Sequence, residues 1–195
     1  MASCLVGSEM FIRDRHIADF GDVGANPGDI RDSMVRITKF YDTLMAAGIK
    51  PLTVGGDHLV SLPVLRAVAK KGPIGMVHFD SHTDLFNSYF NGTKYTHGTP
   101  FRRAVEENLL DPKRVVQIGI RGTQYDSEDV DFAMSVGIRI VRIEEFFNRN
   151  LSELMQEVRE IVGDRETYVS YDIDFVDPTF APVSYTHLRA HETTS

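Results

Sequence analysis

Between residues 31 and 47 the apolar positions Met34, Ile37, Leu44 and Met45 recur at helical spacing, and Gly48 stands where a helix ends. This stretch is expected to be an amphipathic helix. Residues 51–54 read as a short apolar strand closed by Gly55 and Gly56, and residues 62–68 as helix again. The alternation then repeats. Residues 74–79, 115–120, 138–143 and 167–171 carry the apolar runs of buried strands, and residues 101–110, 128–136 and 151–162 have helical spacing. Such alternation predicts an α/β fold, a three-layer arrangement with helices on both faces of a parallel sheet.

In such sheets ligands gather at the carboxyl ends of the strands, where the loops converge on one edge. The polar clusters obey this rule. Gly55-Gly56-Asp57-His58 follows one expected strand, Asp80-Ser81-His82-Thr83-Asp84 the next, and Asp172-Ile173-Asp174 the last. Alternate side chains leaving an extended strand share one side, so Asp80, His82 and Asp84 can face a common point, as can Asp172 and Asp174. With His58 the candidate metal-ligand set is four carboxylates and two imidazoles.

Four carboxylates packed together repel and take up protons unless cations intervene. Two divalent ions carry the four positive charges that balance them. The lone cysteine, Cys4, leaves no thiolate cluster for zinc, and mixed carboxylate and imidazole ligation favours manganese over magnesium or calcium. Paired ions lower the pKa of a bound water towards neutrality, so the natural chemistry is hydrolysis. Taken singly, each motif also has a reading as turn chemistry, because Asp, Gly and Pro favour turns. Their joint placement at three strand ends makes the metal reading the stronger one.

His78 lies within an apolar strand and reads as a core histidine. His97 stands in the loop before Thr99 and Pro100, which have the look of a helix N-cap and first helical residue. That makes His97 the candidate proton shuttle for a departing amine. Arg102, Arg103 and Arg121 read as solvated charges at helix and strand ends.

At these motifs the sequence resembles the ureohydrolase family of arginases and agmatinases, which carries Gly-Gly-Asp-His, Asp-Ala-His-x-Asp and Ser-x-Asp-x-Asp-x-x-Asp-Pro in this order. Here they are residues 55–58, 80–84 and 170–178. The resemblance implies that His58, Asp80, Asp84 and Asp172 surround one Mn2+, while Asp80, His82, Asp172 and Asp174 surround the other. Asp80 and Asp172 would bridge the ions, and His97 and Asp84 would be the catalytic residues. A bridging hydroxide would attack the guanidinium carbon of a small substrate, releasing urea. The family assembles as trimers or hexamers. The His97-Gly98-Thr99 stretch and the polar loop 85–96 resemble agmatinase and other guanidino-alkyl amidinohydrolases more than arginase. Ser81 replaces the family's alanine and is expected to point away from the metals.

The 195 residues are 42% hydrophobic and 25% charged, as in a globular domain with a sizeable core. A net charge of −7 leaves no basic stripe for nucleic-acid phosphates, so a small substrate is expected. No apolar run is long enough to span a membrane, which points to a cytoplasmic protein. Both ends look foreign to the family: residues 1–15 and 183–195 resemble translated sequencing adapters, leaving residues 16–182 as a partial catalytic domain. The expected fold is therefore incomplete at both ends, with the glutamate that grips the guanidinium beyond the C-terminal side. His187 and His191 are accordingly not taken as ligands. The rival readings are an inactive truncated metal-binding fragment and a binuclear metallophosphoesterase, which needs an Asn and further histidines that have no place here. A zinc deacetylase would use fewer carboxylates.

Overall fold

A computed structural model describes residues 17–122 and 127–181 of the chain. Residues 1–15 and 183–195, expected to be foreign to the family, lie outside the described residues, as do His187 and His191.

Helix α1 (Ile30–Ala46) is the first helix among the described residues, capped by the Asp29 carboxylate, which accepts from the amides of Arg31 and Asp32. It ends where expected, and Gly48 takes a φ of +71°, a conformation open to glycine without a Cβ penalty. A 3-10 turn (His58–Val60) leads into α2 (Ser61–Val68), which packs on α1 through Tyr41, Leu44, Val64 and Ala67. Then follow β1 (Ile74–Phe79), α3 (Pro100–Glu106), β2 (Leu110–Ile120), α4 (Glu128–Val136) and β3 (Arg139–Arg142). Helices α5 (Ile143–Asn148) and α6 (Leu151–Val162), strand β4 (Thr167–Tyr171) and a 3-10 turn (Ile173–Phe175) complete it.

The four strands form one parallel sheet in the order β3-β2-β1-β4. Successive strand residues point to opposite faces, and both faces are covered except at β4, expected to be a buried strand, where Val169 and Tyr171 are exposed. Met76 and Val115 pack with Leu62, Leu65, Phe101, Ala104 and Ala133 of α2, α3 and α4. Val77, Val116, Ile118 and Val141 pack on the other side with Leu154, Val158 and Val162 of α6. The expected three-layer α/β architecture is therefore present.

Three local expectations are corrected. Residues 51–54 are not a strand: they pair with none of the described strands, and Leu52 and Val54 are 94% and 72% exposed. An apolar run becomes a strand only where a neighbour supplies a hydrogen-bonding edge; here a groove of about 770 Å³ separates the segment from β4. The helix expected to reach residue 110 stops at Glu106, because Asn108 turns to a φ of +56° and the amide of Leu109 bonds back to the Ala104 carbonyl. Strand β2 then begins at Leu110, opposite Ile74, while Val115 is opposite Met76; residues 111–114, Pro112 among them, bulge from the ladder.

Candidate metal centre

The sheet register builds the site. Phe79 of β1 pairs with Tyr171 of β4, so Asp80 and Asp172 leave the sheet side by side, and the Asp172 amide donates to the Phe79 carbonyl at 2.9 Å. The 3-10 turn after Asp57 carries His58 to the same edge, where His58 Nε2 lies 2.8 Å from the Ser170 hydroxyl. His58 Nδ1 then points into a ring of carboxylates, 2.8 Å from Asp84 Oδ2, 3.2 Å from Asp80 Oδ2 and 3.5 Å from Asp172 Oδ2.

A second cluster adjoins it. His82 Nδ1 lies 3.0 Å from Asp174 Oδ2 and 3.4 Å from Asp80 Oδ1, and Asp174 Oδ1 accepts from the Ser81 amide. All six sequence-derived ligand candidates are thus gathered at one strand edge. Asp80 and Asp84 are buried, and Asp172 and Asp174 are partly so. Asp84 holds a φ of +52°, an unfavourable region for a side chain with a Cβ, which aims its carboxylate at His58.

Two glycines give the segment its space. A Cβ on Gly119, at a φ of +97°, would fall 2.5 Å from the Phe175 ring, and one on Gly122 would fall 2.4 Å from His82 Cδ2. Both backbones pass where any larger residue would push a candidate ligand or its turn aside.

The electrostatics are those of a cation site holding protons instead. Burial opposes charge on His58, yet the Asp80 and Asp84 carboxylates raise its pKa to about 10. The carboxylates of Asp174 and Asp80 do the same for His82, also to about 10. Burial raises Asp80 as well, but the neighbouring imidazoles of His58, His78 and His82 outweigh it and hold the carboxyl well below its usual range. Burial pushes Asp84 and Asp172 up. His58 Nδ1 is buried and forms no hydrogen bond of good geometry, although three carboxylate oxygens surround it. Once that nitrogen gives up its proton, its lone pair and the carboxylate oxygens around it make a donor set of imidazole and oxygen only, which fits a hard or borderline divalent cation.

Other residues behave differently from their sequence reading. Ser81 does not point away: its hydroxyl lies 3.0 Å from His82 Nδ1, because the tight turn folds it back over the next ring. Arg103 is only 4% exposed, bound to Asn87 and Glu106, and Arg102 lies over the Phe132 ring at 3.6 Å. Arg121 donates to the main-chain oxygens of Gly119, Asp174, Phe175 and Val176. All three find partners in other segments that strand-end position alone does not reveal. The loop 85–96 is less polar in effect than in composition, since Leu85 and Phe86 are buried and the Tyr89 ring meets Phe86 edge-to-face and Phe90 at a tilt.

His97 is exposed, with its ring beside those of Tyr89 and Phe90. Four residues on, the Phe101 amide donates to the Asp84 carbonyl, and the Phe101 ring lies edge-on to His58 at 5.2 Å. Thr99 does stand at the N-cap, but its hydroxyl turns back to the Lys94 and Thr96 carbonyls instead of capping α3. Ser170 was reachable from sequence: it begins the third motif, two residues before Asp172 and so on the same face of β4.

The sequence profile of the arginase family matches residues 4–186. The chain belongs to the arginase family. Curated relatives include the guanidinopropionase of Pseudomonas aeruginosa, 53% identical over 85% of this chain and 52% of its own length. The mitochondrial agmatinase of Gallus gallus is 48% identical over 85% of the chain and 49% of its own. Among solved structures, the proclavaminate amidino hydrolase from Streptomyces clavuligerus superposes with a TM-score of 0.76 at 39% identity, covering 83% of this chain and 54% of that one. The chain spans about half the length of the curated relatives it matches. No described helix is long and apolar enough to cross a membrane.

Proposed function

We propose that this arginase-family chain carries the two-metal centre of an amidinohydrolase that releases urea from a small guanidino-alkyl acid or amine. One observation carries the reading: Asp80 belongs to both ligand clusters, Oδ2 facing His58 and Oδ1 facing His82. A carboxylate shared in this way suits two neighbouring cations. His58, Asp84 and Asp172 would hold one, His82 and Asp174 the other, with Asp80 between them and Mn2+ as the expected ion.

When bound, such ions supply a water of lowered pKa and a sink for developing negative charge. The net reaction moves the water oxygen to the guanidino carbon, breaks the bond from that carbon to the alkylated nitrogen, and returns a proton to the departing amine. The chain's own residues prepare it. Ser170 fixes the His58 ring, Arg121 fixes the turn that carries Asp174, and His97 is the group assigned to protonate the leaving nitrogen. The names of the relatives, guanidinopropionase, guanidinobutyrase and agmatinase, support a linear guanidino substrate.

The test is urea release from guanidinopropionate, guanidinobutyrate, agmatine and arginine by protein preincubated with Mn2+, beside Asp172→Ala and His97→Asn. The expected result is Mn2+-dependent urea that disappears in Asp172→Ala and falls by roughly 10²-fold or more in His97→Asn with metal content unchanged. Folded, Mn2+-loaded protein that releases urea from none of the four would overturn the proposal.

A further inference from the structure

Asp80 is gripped from behind by a residue that none of the motifs includes. His78 precedes it by two positions in β1, so both side chains leave the same face of the strand, and His78 is 0% exposed. His78 Nε2 lies 2.8 Å from Asp80 Oδ2. Its other ring nitrogen, Nδ1, lies 3.0 Å from the side-chain nitrogen of Gln117, the residue directly opposite in β2.

Gln117 settles where the ring proton sits. The same amide nitrogen is 2.6 Å from the main-chain oxygen of Thr83, which can only accept. That end of the amide must therefore be the NH2, since the flipped amide would set two oxygens against each other. The cost of this orientation is visible, because Gln117 Oε1 is buried and has no hydrogen-bond partner. One amide hydrogen goes to Thr83 and the other to His78 Nδ1. That nitrogen is then the acceptor, and the ring carries its one proton on Nε2, towards Asp80.

The arrangement separates two roles that proximity alone leaves open. The donor atoms of His58, His78, Asp80 and Asp84 all lie within 4.8 Å of one another, so by position His78 could serve as a further ligand. A protonated ring nitrogen has no lone pair to offer a cation. We infer that His78 is a positioning residue that donates from Nε2 to the shared carboxylate of Asp80, and that Gln117 holds it in this tautomer and so keeps it from ligating metal.

Gln117 has a second purchase on the site. Thr83 lies between His82 and Asp84, so the same amide pins the main chain of the ligand segment. The Phe101 ring, 4.5 Å from His78 and 5.2 Å from His58, walls the two imidazoles from solvent and keeps the relay dry. In a dry setting a fixed donor is worth more, and a misplaced one costs more. Outer partners of this kind commonly alter metal affinity by about 10–100-fold.

The inference rests on the metal-centre reading above, and its test separates the two. In metal-free full-length chain with 15N-labelled histidine, long-range proton–nitrogen correlation is expected to show His78 protonated at Nε2 and bare at Nδ1. A proton on Nδ1 overturns the inference whether or not any variant folds. Mn2+ titration by calorimetry then compares His78→Phe, which keeps a ring but no donor, with His78→Gln, which restores an N–H, and with Gln117→Met. The expected pattern is about 10–100-fold weaker binding in His78→Phe, most of it regained in His78→Gln, and mixed tautomers with weakened binding in Gln117→Met. Equal weakening in His78→Phe and His78→Gln, or wild-type affinity in His78→Phe, overturns the positioning role. Wild-type protein that binds no Mn2+ would sink the metal-centre reading, while the ring proton still decides the tautomer.

Discussion

The guanidinium of Arg121 donates to the main-chain oxygen of Asp174 at 2.7 Å, and the same nitrogen reaches the carbonyls of Phe175 and Val176. One side chain at the end of β2 thus gathers the carbonyls of the turn that carries Asp174. Arg121→Met keeps the aliphatic stem and removes every donor. It is expected to weaken Mn2+ binding by roughly tenfold, the equivalent of one charge-assisted hydrogen bond lost, while far-ultraviolet dichroism stays unchanged. Calorimetric affinity equal to wild type would show that the turn holds itself.

Gly122 makes a sharper prediction. A methyl group there would meet His82 Cδ2 at 2.4 Å and the Ser81 carbonyl at 3.0 Å. Gly122→Ala is expected to displace His82 and depopulate its side of the centre, so that the bound Mn2+ measured by elemental analysis falls from two ions per chain towards one. Two tightly held ions in this variant would mean that the His82 ring can swing aside without loss.

Metal-free protein is expected to lose stability as pH rises from neutrality. His58 and His82 are raised to about 10 in the fold, against about 6.5 in an unfolded chain. Below about 6.5 both states are protonated and the contribution is complete. Between about 6.5 and 10 the folded chain keeps protons that the unfolded chain has released, so stability falls with pH and the contribution is gone above about 10. His82 is half exposed, and solvent screening shrinks its share. Mn2+ must displace these protons, so its affinity should climb through the same window, with proton release visible when titrations are repeated in buffers of different ionisation enthalpy. A melting temperature that is flat with pH in the absence of metal would contradict this.

Arg114 offers a test of the scaffold rather than the site. It is buried, and its guanidinium donates to the carbonyls of Val162, Arg165 and Glu166 where α6 ends. Arg114→Met would strip the Val162 carbonyl of its side-chain donors, while the Glu166 carbonyl keeps the Gly75 amide and the Arg165 carbonyl keeps the Thr167 hydroxyl, at a cost of about 2–3 kcal/mol. The melting temperature is expected to drop by roughly 5–10 °C, with Arg114→Lys restoring little because a single ammonium cannot span three carbonyls.

Much of this was legible in the sequence. Strands β1 and β4 and helices α4 and α6 have the residue bounds that their apolar runs suggest, because each is short and well bounded; β4 keeps those bounds although Val169 and Tyr171 are exposed. The ligand candidates were legible for a related reason: motifs that follow strands inherit their place from the sheet. Residues 51–54 failed because strand formation needs a neighbour, and local hydropathy says nothing of neighbours. Helix α5 went unread since its six residues bury no side chain fully; Glu145 instead joins an ion network with Arg139, Arg149 and Glu157. Arg121 and Gln117 carry no sign of their roles because their partners lie in distant segments, and His78 reads as a core histidine because the Gln117 amide that orients it comes from the neighbouring strand. The positive φ of Asp84 leaves no compositional trace at all.

Within the described sheet β1 has a strand on either side, whereas β4 is paired on one side only. Asp80, His82 and Asp84 therefore hang from the middle of the sheet, and Asp172 and Asp174 from its rim. The centre resembles a clasp with one fixed jaw and one that can fray. Whatever stiffens the outer side of β4 would slow the escape of ions held there without touching a single ligand, so the residence time of such ions would depend on the pairing of a strand's far edge.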